Sequence, residues 1–194
     1  MYGAFKFIIV AIIWCGPALA AAEPIAEAAD AAYARADYVV AIRLYRQLAN
    51  QGSANAQLDL GNMYHEGQGV TQSYVEAANW YRKAADQGDP ASQFNLGIIY
   101  GKGQGVPQSY TEEMMWYFRA ANQGMAKAQF NLGNMFAEGQ GISQQEYILA
   151  HMWLSLAAAQ GLQQAIRNRN TLANLMTSAQ LEIAQTLARE WKPK

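Results

Sequence analysis

The sequence predicts an all-α solenoid of stacked helix pairs, and three observations lead to this fold class. A Gln-x-x-Leu-Gly motif recurs with its glycines at positions 61, 97 and 133, which gives a period of 36 residues. A Gly-x-Gly triplet begins six residues after each of these glycines, and an aromatic-rich run ending in Gln-Gly follows each triplet. Repeats of this length bury their apolar faces by stacking on one another, which is typical of solenoids.

The repeat divides the chain into six predicted parts. These are a signal peptide (1–20), N-terminal capping helices with a partial repeat (21–52), repeats at 53–88, 89–124 and 125–161, and C-terminal capping helices (162–194). Each full repeat is predicted to be helix, loop, helix. We expect first helices at about 54–66, 91–102 and 127–138, and second helices at 74–87, 110–123 and 147–160.

The flanking segments also predict helices. An alanine-rich helix is expected at 24–35, and Asp37 is a suitable N-cap for a helix at 38–50. After the repeats, we expect capping helices at 162–176 and 179–191, with a frayed end at 192–194.

Three sets of repeated residues carry structural predictions. The glycines within the first helices suggest close approach of a neighbouring helix, where a Cβ atom would clash. The Gly-x-Gly triplets follow a helix and not a strand, so we expect them to form turns with positive φ and not a phosphate-binding loop. Trp80, Trp116 and Trp153 recur in register and are expected in the core.

The N-terminus has the pattern of a secretory signal. Lys6 precedes an apolar run at 7–14, and a Gly16-Pro17 break is followed by Ala18-Leu19-Ala20, which predicts cleavage after Ala20. An uncleaved anchor is the alternative, but the run is short for a bilayer span and Gly16-Pro17 would interrupt it. We therefore expect a periplasmic or secreted protein without stable membrane insertion. Its one cysteine, Cys15, would leave with the signal.

Composition and motif content argue against several function classes. Charged residues make up 15% of the chain and the formal net charge is −1, so no nucleic-acid partner is expected. The two histidines, His65 and His151, do not occur in zinc-ligand spacing, and no metal or other cofactor is predicted. Ser155 and His151 share a helix face, but the nearest acid, Glu146, points away from it, so no catalytic set is expected and the protein is predicted not to be an enzyme.

The Leu-Gly, Gly-x-Gly-Val, Trp-Tyr and Ala-Ala-x-Gln-Gly series resembles the Sel-one-like repeat, a relative of the tetratricopeptide repeat, over roughly residues 38–191. The closing segment from Met176 to Trp191 resembles that of bacterial secreted members. The resemblance implies a right-handed α/α superhelix that binds other proteins as an adaptor or regulator, here as a monomer. The chain departs from the pattern at Glu113, where other copies have alanine, so this carboxylate must reach solvent or a partner.

The resemblance also implies where a partner would bind, because the first helices of related superhelices line the concave wall. Positions 55, 59, 62 and 66 share one face of the first helix. The candidate residues are Asn55, Asp59, Asn62, Glu66, Asn95, Lys102, Lys127, Asn131, Asn134 and Glu138. This mixed amide and charge stripe suits a protein or peptide partner, and the alternative is an ordinary solvated helix face.

Two other functions remain open at the level of sequence. One is a cell-envelope hydrolase or a β-lactam- or peptidoglycan-interacting protein. Some secreted relatives linked to β-lactam binding have a cysteine pair in each repeat, and this chain lacks those cysteines, so that association is not transferred. The other is a structural envelope assembly factor.

Overall fold

The computed structural model describes residues 17–139 and 147–194, and these residues form ten α-helices and no strands. The all-α prediction is confirmed. The helices are α1 (Pro17–Ala34), α2 (Tyr38–Asn50), α3 (Ala54–Glu66), α4 (Tyr74–Asp86), α5 (Pro90–Lys102), α6 (Tyr110–Asn122), α7 (Ala126–Glu138), α8 (Tyr147–Ala159), α9 (Gln163–Ala173) and α10 (Ser178–Glu190).

Helix packing follows the order of the chain, as expected for a solenoid. Contacts are most extensive within the pairs α3–α4, α5–α6 and α7–α8, and each pair also packs on the next through α4–α5 and α6–α7. At the C-terminal end, α8 contacts both α9 and α10. None of the described helices combines the length and apolarity needed to cross a bilayer.

The helices of the three full repeats begin and end within one residue of the predicted positions. Side-chain caps explain this agreement, since Ser53, Ser73, Asp89 and Ser109 each accept a hydrogen bond from a backbone N–H of the following turn. Thr177 and Gln180 form a reciprocal capping box at the start of α10.

The first helix differs most from its prediction, because α1 already includes residues 17–23, before the predicted start at residue 24. The alanines in this segment are strong helix formers. The predicted cleavage position after Ala20 therefore falls within α1. Lys6 and the apolar run at 7–14 lie outside the described residues, and the signal peptide stays a prediction.

The loop triplets form turns with positive φ, as predicted, at glycines 67, 69, 103, 105 and 139; Gly141 lies outside the described residues. Gly105 has φ of 71°, and a Cβ added there would lie 2.5 Å from the backbone nitrogen of Val75. This loop therefore rests directly on the start of α4, the second helix of the preceding repeat. Glycine adopts this positive φ readily, and it has no Cβ atom that would clash with α4.

The core consists of residues that recur with the repeat. Leu60, Leu96 and Leu132 are fully buried, and alanines of the second helices pack around them. Within the predicted tryptophan column, Trp116 is 2% exposed and Trp153 is 3% exposed. Trp80 is only half-buried, and the Lys83 ammonium lies 3.9 Å from its ring centroid.

Buried glutamines connect successive repeats through a repeated hydrogen-bond pattern. Gln93 donates to the Ala85 carbonyl at 3.1 Å, and its own carbonyl accepts a hydrogen bond from Gln123 at 2.9 Å. Gln123 also donates to the Gly88 carbonyl. Gln129 makes the same bonds, to Ala121 and from Gln160, one repeat later. The first residue of the Gln-x-x-Leu-Gly motif therefore satisfies backbone carbonyls at the junction of two helix pairs.

The C-terminal tail packs against the body of the solenoid, where a frayed end was expected at 192–194. The Trp191 ring packs edge-on against Trp153 with centroids 6.2 Å apart. The backbone N–H of Lys194 donates to the Asn122 carbonyl at 2.9 Å. These contacts fix residues 191–194 beside the C-terminal end of α6.

Candidate functional site

A groove runs along the first helices of the repeats, formed by four adjoining cavities in the described part of the chain. From the N-terminal end, their volumes are about 240, 360, 270 and 330 Å³. Neighbouring cavities share walls: Lys102 lines the first and second, Asn131 the second and third, and Asn134 the third and fourth. These shared residues make the groove continuous across α3, α5, α7 and α9.

Seven of the ten predicted binding residues line this groove. They are Asn62, Glu66, Asn95, Lys102, Asn131, Asn134 and Glu138. Asn55, Asp59 and Lys127 line none of the four cavities. Asn55 and Lys127 are exposed in the first turns of α3 and α7, and the cavities lie beside later turns of these helices.

Hydrogen bonds within and between neighbouring repeats orient the groove amides. The hydroxyl of Tyr81 donates to Asn62 Oδ1 at 2.8 Å, and Asn95 Nδ2 lies 3.4 Å from the same oxygen. Asn168 Nδ2 donates to Asn134 Oδ1 at 2.8 Å. A side-chain amide has two N–H donors and an oxygen with two lone pairs, so these bonds use only part of its capacity.

Glu113 lies in the middle of the groove, where it lines the second and third cavities. Tyr117 donates a hydrogen bond to its carboxylate, and Asn131 hydrogen-bonds to Tyr117. A Cβ atom at Gly101 would fall under 3.0 Å from the Glu113 carboxyl group. Gly101 therefore provides the space that the carboxylate occupies. Burial raises the pKa of Glu113, and the hydrogen bond from Tyr117 lowers it.

Asp59 is half-buried beside other acids and not in the groove wall. The pKa of its carboxyl group is raised to about 6, mainly by burial and to a smaller extent by the negative charges of Asp30 and Asp89. Asp30 accepts a hydrogen bond from Tyr45 at 2.8 Å. Asp59, which was predicted to bind a partner, therefore lies toward the interior of the N-terminal repeats.

Sequence reasoning missed several groove residues. Tyr81 and Tyr117 recur at the 36-residue period, so their shared role could have been found from the spacing. Asn168 follows Asn131 by 37 residues, the spacing of the third repeat with its inserted residue. Leu172 and Leu175 line the fourth cavity, but they lie in the poorly patterned C-terminal part, where the period gives no signal.

The sequence-level candidates for chemistry have the following geometry. Ser155 Oγ lies 3.4 Å from His151 Nδ1, which is long for a hydrogen bond. His151 is buried, and burial lowers its pKa, as does the positive charge of Arg169. Glu146 lies outside the described residues. Over 17–139 and 147–194, no group of three or more His, Cys, Asp or Glu side chains could hold a metal ion.

An all-α stack of helix pairs with a continuous groove along its first helices defines a superhelical repeat protein of the α/α class. The Sel1 repeat matches residues 30–53, 54–89, 90–125 and 126–162. The chain belongs to the Sel1 repeat family. Proteins of this family generally mediate protein–protein interactions and are typically non-catalytic scaffolds.

Two solved structures illustrate the similarity. A Sel1 repeat protein from Oxalobacter formigenes is 34% identical with a TM-score of 0.70, and the match covers 73% of this chain and 58% of that one. The protein c5321, a protective antigen of uropathogenic Escherichia coli strains with an SLR fold, is 31% identical with a TM-score of 0.74, over 89% and 40% of the two chains. The chain thus spans about half the length of these structures. No curated protein matches it.

Proposed function

We propose that this protein is an exported adaptor or regulator that holds a partner polypeptide in the groove. The observation that supports this proposal most is the run of amide side chains along the four joined cavities. Asn62, Asn95, Asn131 and Asn134 come from three successive repeats and lie in one groove. A polypeptide presents backbone donors and acceptors at regular intervals, so such a series of amides suits it.

The size of the groove is consistent with an extended segment. A helix with its side chains is about 10–12 Å across, so the three steps from α3 to α9 along the first helices span roughly 30 Å. An extended chain advances about 3.3 Å per residue, so about nine residues would occupy this length. The amides would then bond to main-chain groups, and the cavities between them would accept side chains.

Site-specific crosslinking tests where the partner binds. A photoreactive amino acid replaces Lys102 or Glu138 in the groove, and in the control it replaces Glu76, which is exposed on α4 and lines none of the four cavities. After irradiation in the native envelope extract, we expect one partner to be crosslinked from both groove positions and not from position 76. Crosslinks from position 76 alone would move the binding surface to the opposite face.

A substitution experiment measures what the amides contribute. Asn95, Asn131 and Asn134 are changed together to alanine, and the control changes the exposed Gln163, Gln164 and Gln185 to alanine. We expect capture of the crosslinked partner to weaken at least about tenfold in the groove variant, because a single unsatisfied buried hydrogen-bonding group costs about 1–3 kcal/mol. Alanine favours helix, which offsets part of the internal bonds lost, so circular dichroism should be unchanged. Equal capture by the two triple variants would refute the role of the amides.

Export is the second part of the proposal, supported by Lys6, the apolar run at 7–14 and the Ala18-Leu19-Ala20 triplet. N-terminal sequencing of the protein from the envelope fraction checks it. We expect the chain to begin at Ala21, and a sequence that begins at Met1 would contradict cleavage.

A further inference from the structure

Resting on the proposed function, we propose that the partner segment is an extended peptide with a basic side chain, bound in the third cavity, and an apolar side chain about three residues away, bound in the fourth. The two neighbouring cavities differ sharply in chemistry, and this difference defines the pair of side chains that would fit them.

The third cavity, of about 270 Å³, is suited to a cation. Its wall contains the carboxylates of Glu113 and Glu138, the hydroxyl of Tyr117 and the amides of Asn131 and Asn134, and it contains no lysine or arginine. Lys102 lines the second cavity and not this one. An arginine guanidinium has five N–H donors in a plane, so it can bond to two carboxylates and to amide oxygens simultaneously.

The position of Glu113 favours such a cation. The other copies of the second helix have alanine here, and the space for the carboxylate exists only because Gly101 has no side chain. The Tyr117 hydroxyl donates a hydrogen bond to the carboxylate, and Glu113 lines both the second and the third cavity. The negative charge is thereby held in place and partly shielded from water. In such a site, a bidentate ion pair is stronger than on an open surface.

The fourth cavity, of about 330 Å³, is more apolar. Leu154, Leu172 and Leu175 contribute to its wall, and Leu175 is 66% exposed. Leu154 stands where the two earlier repeats have Tyr81 and Tyr117, so the column of tyrosine hydroxyls ends here. Leu154 and Leu172 are themselves buried, so an apolar side chain of the partner would chiefly cover the exposed side chain of Leu175 and remove it from water.

The distance between the two cavities sets the spacing of the motif. They lie on either side of Asn134 and Glu138 of α7, the third against α6 and the fourth against α8 and α9. A helix with its side chains is about 10–12 Å across, and an extended peptide advances about 3.3 Å per residue, so the two side chains are about three residues apart.

Fluorescence anisotropy with synthetic peptides tests this inference. The probe is a fluorescein-labelled, ten-residue serine–glycine peptide with arginine and leucine three positions apart, made in both orders. Companion peptides replace arginine by neutral citrulline, replace leucine by serine, or place the two residues six positions apart. For at least one order we expect saturable binding below about 1 mM, and binding at least about tenfold weaker for each companion peptide.

Protein variants assign the two interactions to their cavities. Glu113→Gln should weaken the arginine peptide at least about tenfold without further weakening the citrulline peptide. Gly101→Ala should also weaken the arginine peptide, because the new Cβ displaces the carboxylate while the charge is kept. The matched control is Glu112→Gln on the same helix, since Glu112 lines none of the four cavities, and we expect it to bind like the parent.

The apolar cavity has its own variant and control. Leu175→Ser should weaken the arginine–leucine peptide and leave the serine companion unchanged. Ile183→Ser is the control, because Ile183 is also half exposed but lines none of the four cavities. Circular dichroism spectra like that of the parent, recorded for all variants at the temperature of the binding assay, exclude loss of folding as the cause.

The outcomes separate this inference from the proposed function. No saturable binding of either arginine–leucine peptide, or equal binding of arginine and citrulline peptides, would overturn the inference. If crosslinking still captured a partner from positions 102 and 138, the groove would remain the binding site for a segment of different chemistry. Absence of crosslinks from both groove positions would refute the proposed function itself.

Discussion

The carboxyl group of Asp59 is in an environment that disfavours its charge. Burial and the nearby charges of Asp30 and Asp89 raise its pKa to about 6, from an ordinary value of 3.8. Between these two values the folded protein keeps a proton on Asp59 that the unfolded chain releases. The free energy of unfolding therefore falls as the pH rises through this window, and above about pH 6 the full cost of the buried charge is present.

Replacing Asp59 by asparagine should remove this cost while keeping the shape of the side chain. We expect Asp59→Asn to melt at a higher temperature than the parent at pH 7, and the difference should shrink as the pH is lowered to 4. Thermal unfolding followed by circular dichroism across this pH range checks the prediction. Glu182→Gln, an exposed change on α10, is the control. A difference between Asp59→Asn and the parent that does not depend on pH would contradict the pKa shift.

Comparison of the repeat copies identified Glu113 from the sequence, since it differs from the alanines at equivalent positions. Its environment could not be derived in the same way. The roles of Gly101 and Tyr117 depend on how α5 and α6 pack, and a glycine among non-repeating residues gives no signal by itself. A departure from the period can therefore locate an unusual residue, but the contacts that accommodate it require the structure.

The helical glycines show how a packing requirement overrides helix propensity. Glycine within a helix costs about 1 kcal/mol relative to alanine, yet it recurs at 61, 97 and 133. A Cβ at Gly97 would lie under 3.0 Å from the ring of Tyr117, which is buried on the adjacent helix. The predicted close approach is confirmed, and in this repeat the approaching group is a tyrosine whose hydroxyl reaches the groove.

Gly97→Ala should therefore lower stability although alanine is the better helix former. The buried Tyr117 ring would have to move, and inserting a methyl group into a packed core typically costs about 1–3 kcal/mol. Gly101→Ala is the comparison, because the atoms that it meets belong to the end of the flexible Glu113 side chain. Urea denaturation should show a clear loss for Gly97→Ala and a smaller loss or a gain for Gly101→Ala. A gain for Gly97→Ala would show that Tyr117 yields without cost.

Local signals predicted the helix boundaries well and the groove wall only in part. Caps and αL glycines are encoded within a few residues, so α3 to α8 were placed within one residue. The spacing i, i+3, i+4 also placed the candidates on one helix face, and seven of them line the groove. It carries no information about depth, and Asn55 and Lys127 lie at helix ends that the cavities do not reach.

In the described part of the chain, extensive helix contacts join neighbouring helix pairs, so the stability of the solenoid depends mainly on these junctions. Each junction described here has a glutamine pair, such as Gln123 with Gln93 and Gln160 with Gln129, in addition to apolar packing. At the C-terminal end, Trp191 and Lys194 return to α8 and α6, so the tail closes the last junction. The central repeat, residues 89–124, is the one that couples both halves.

Trp116 lies in this central repeat and tests the coupling. It is 2% exposed, with the Arg119 guanidinium 4.6 Å from its ring centroid. Trp116→Ala should cost about 3–5 kcal/mol and lower the melting temperature by about 6–20 °C. Because the lost packing is in the repeat that joins the two halves, unfolding should also become less cooperative, with a lower slope in urea.

The half-buried Trp80 provides the matched comparison, as it occupies the same position one repeat earlier. Trp80→Ala removes packing that is already partly exposed to water and lies nearer the N-terminal end. We expect a smaller loss of stability and an unchanged urea slope. If Trp116→Ala melted within about a degree of the parent, its burial would contribute little to the free energy of unfolding. If both variants lost cooperativity equally, the halves would be coupled through every repeat and not chiefly through the central one.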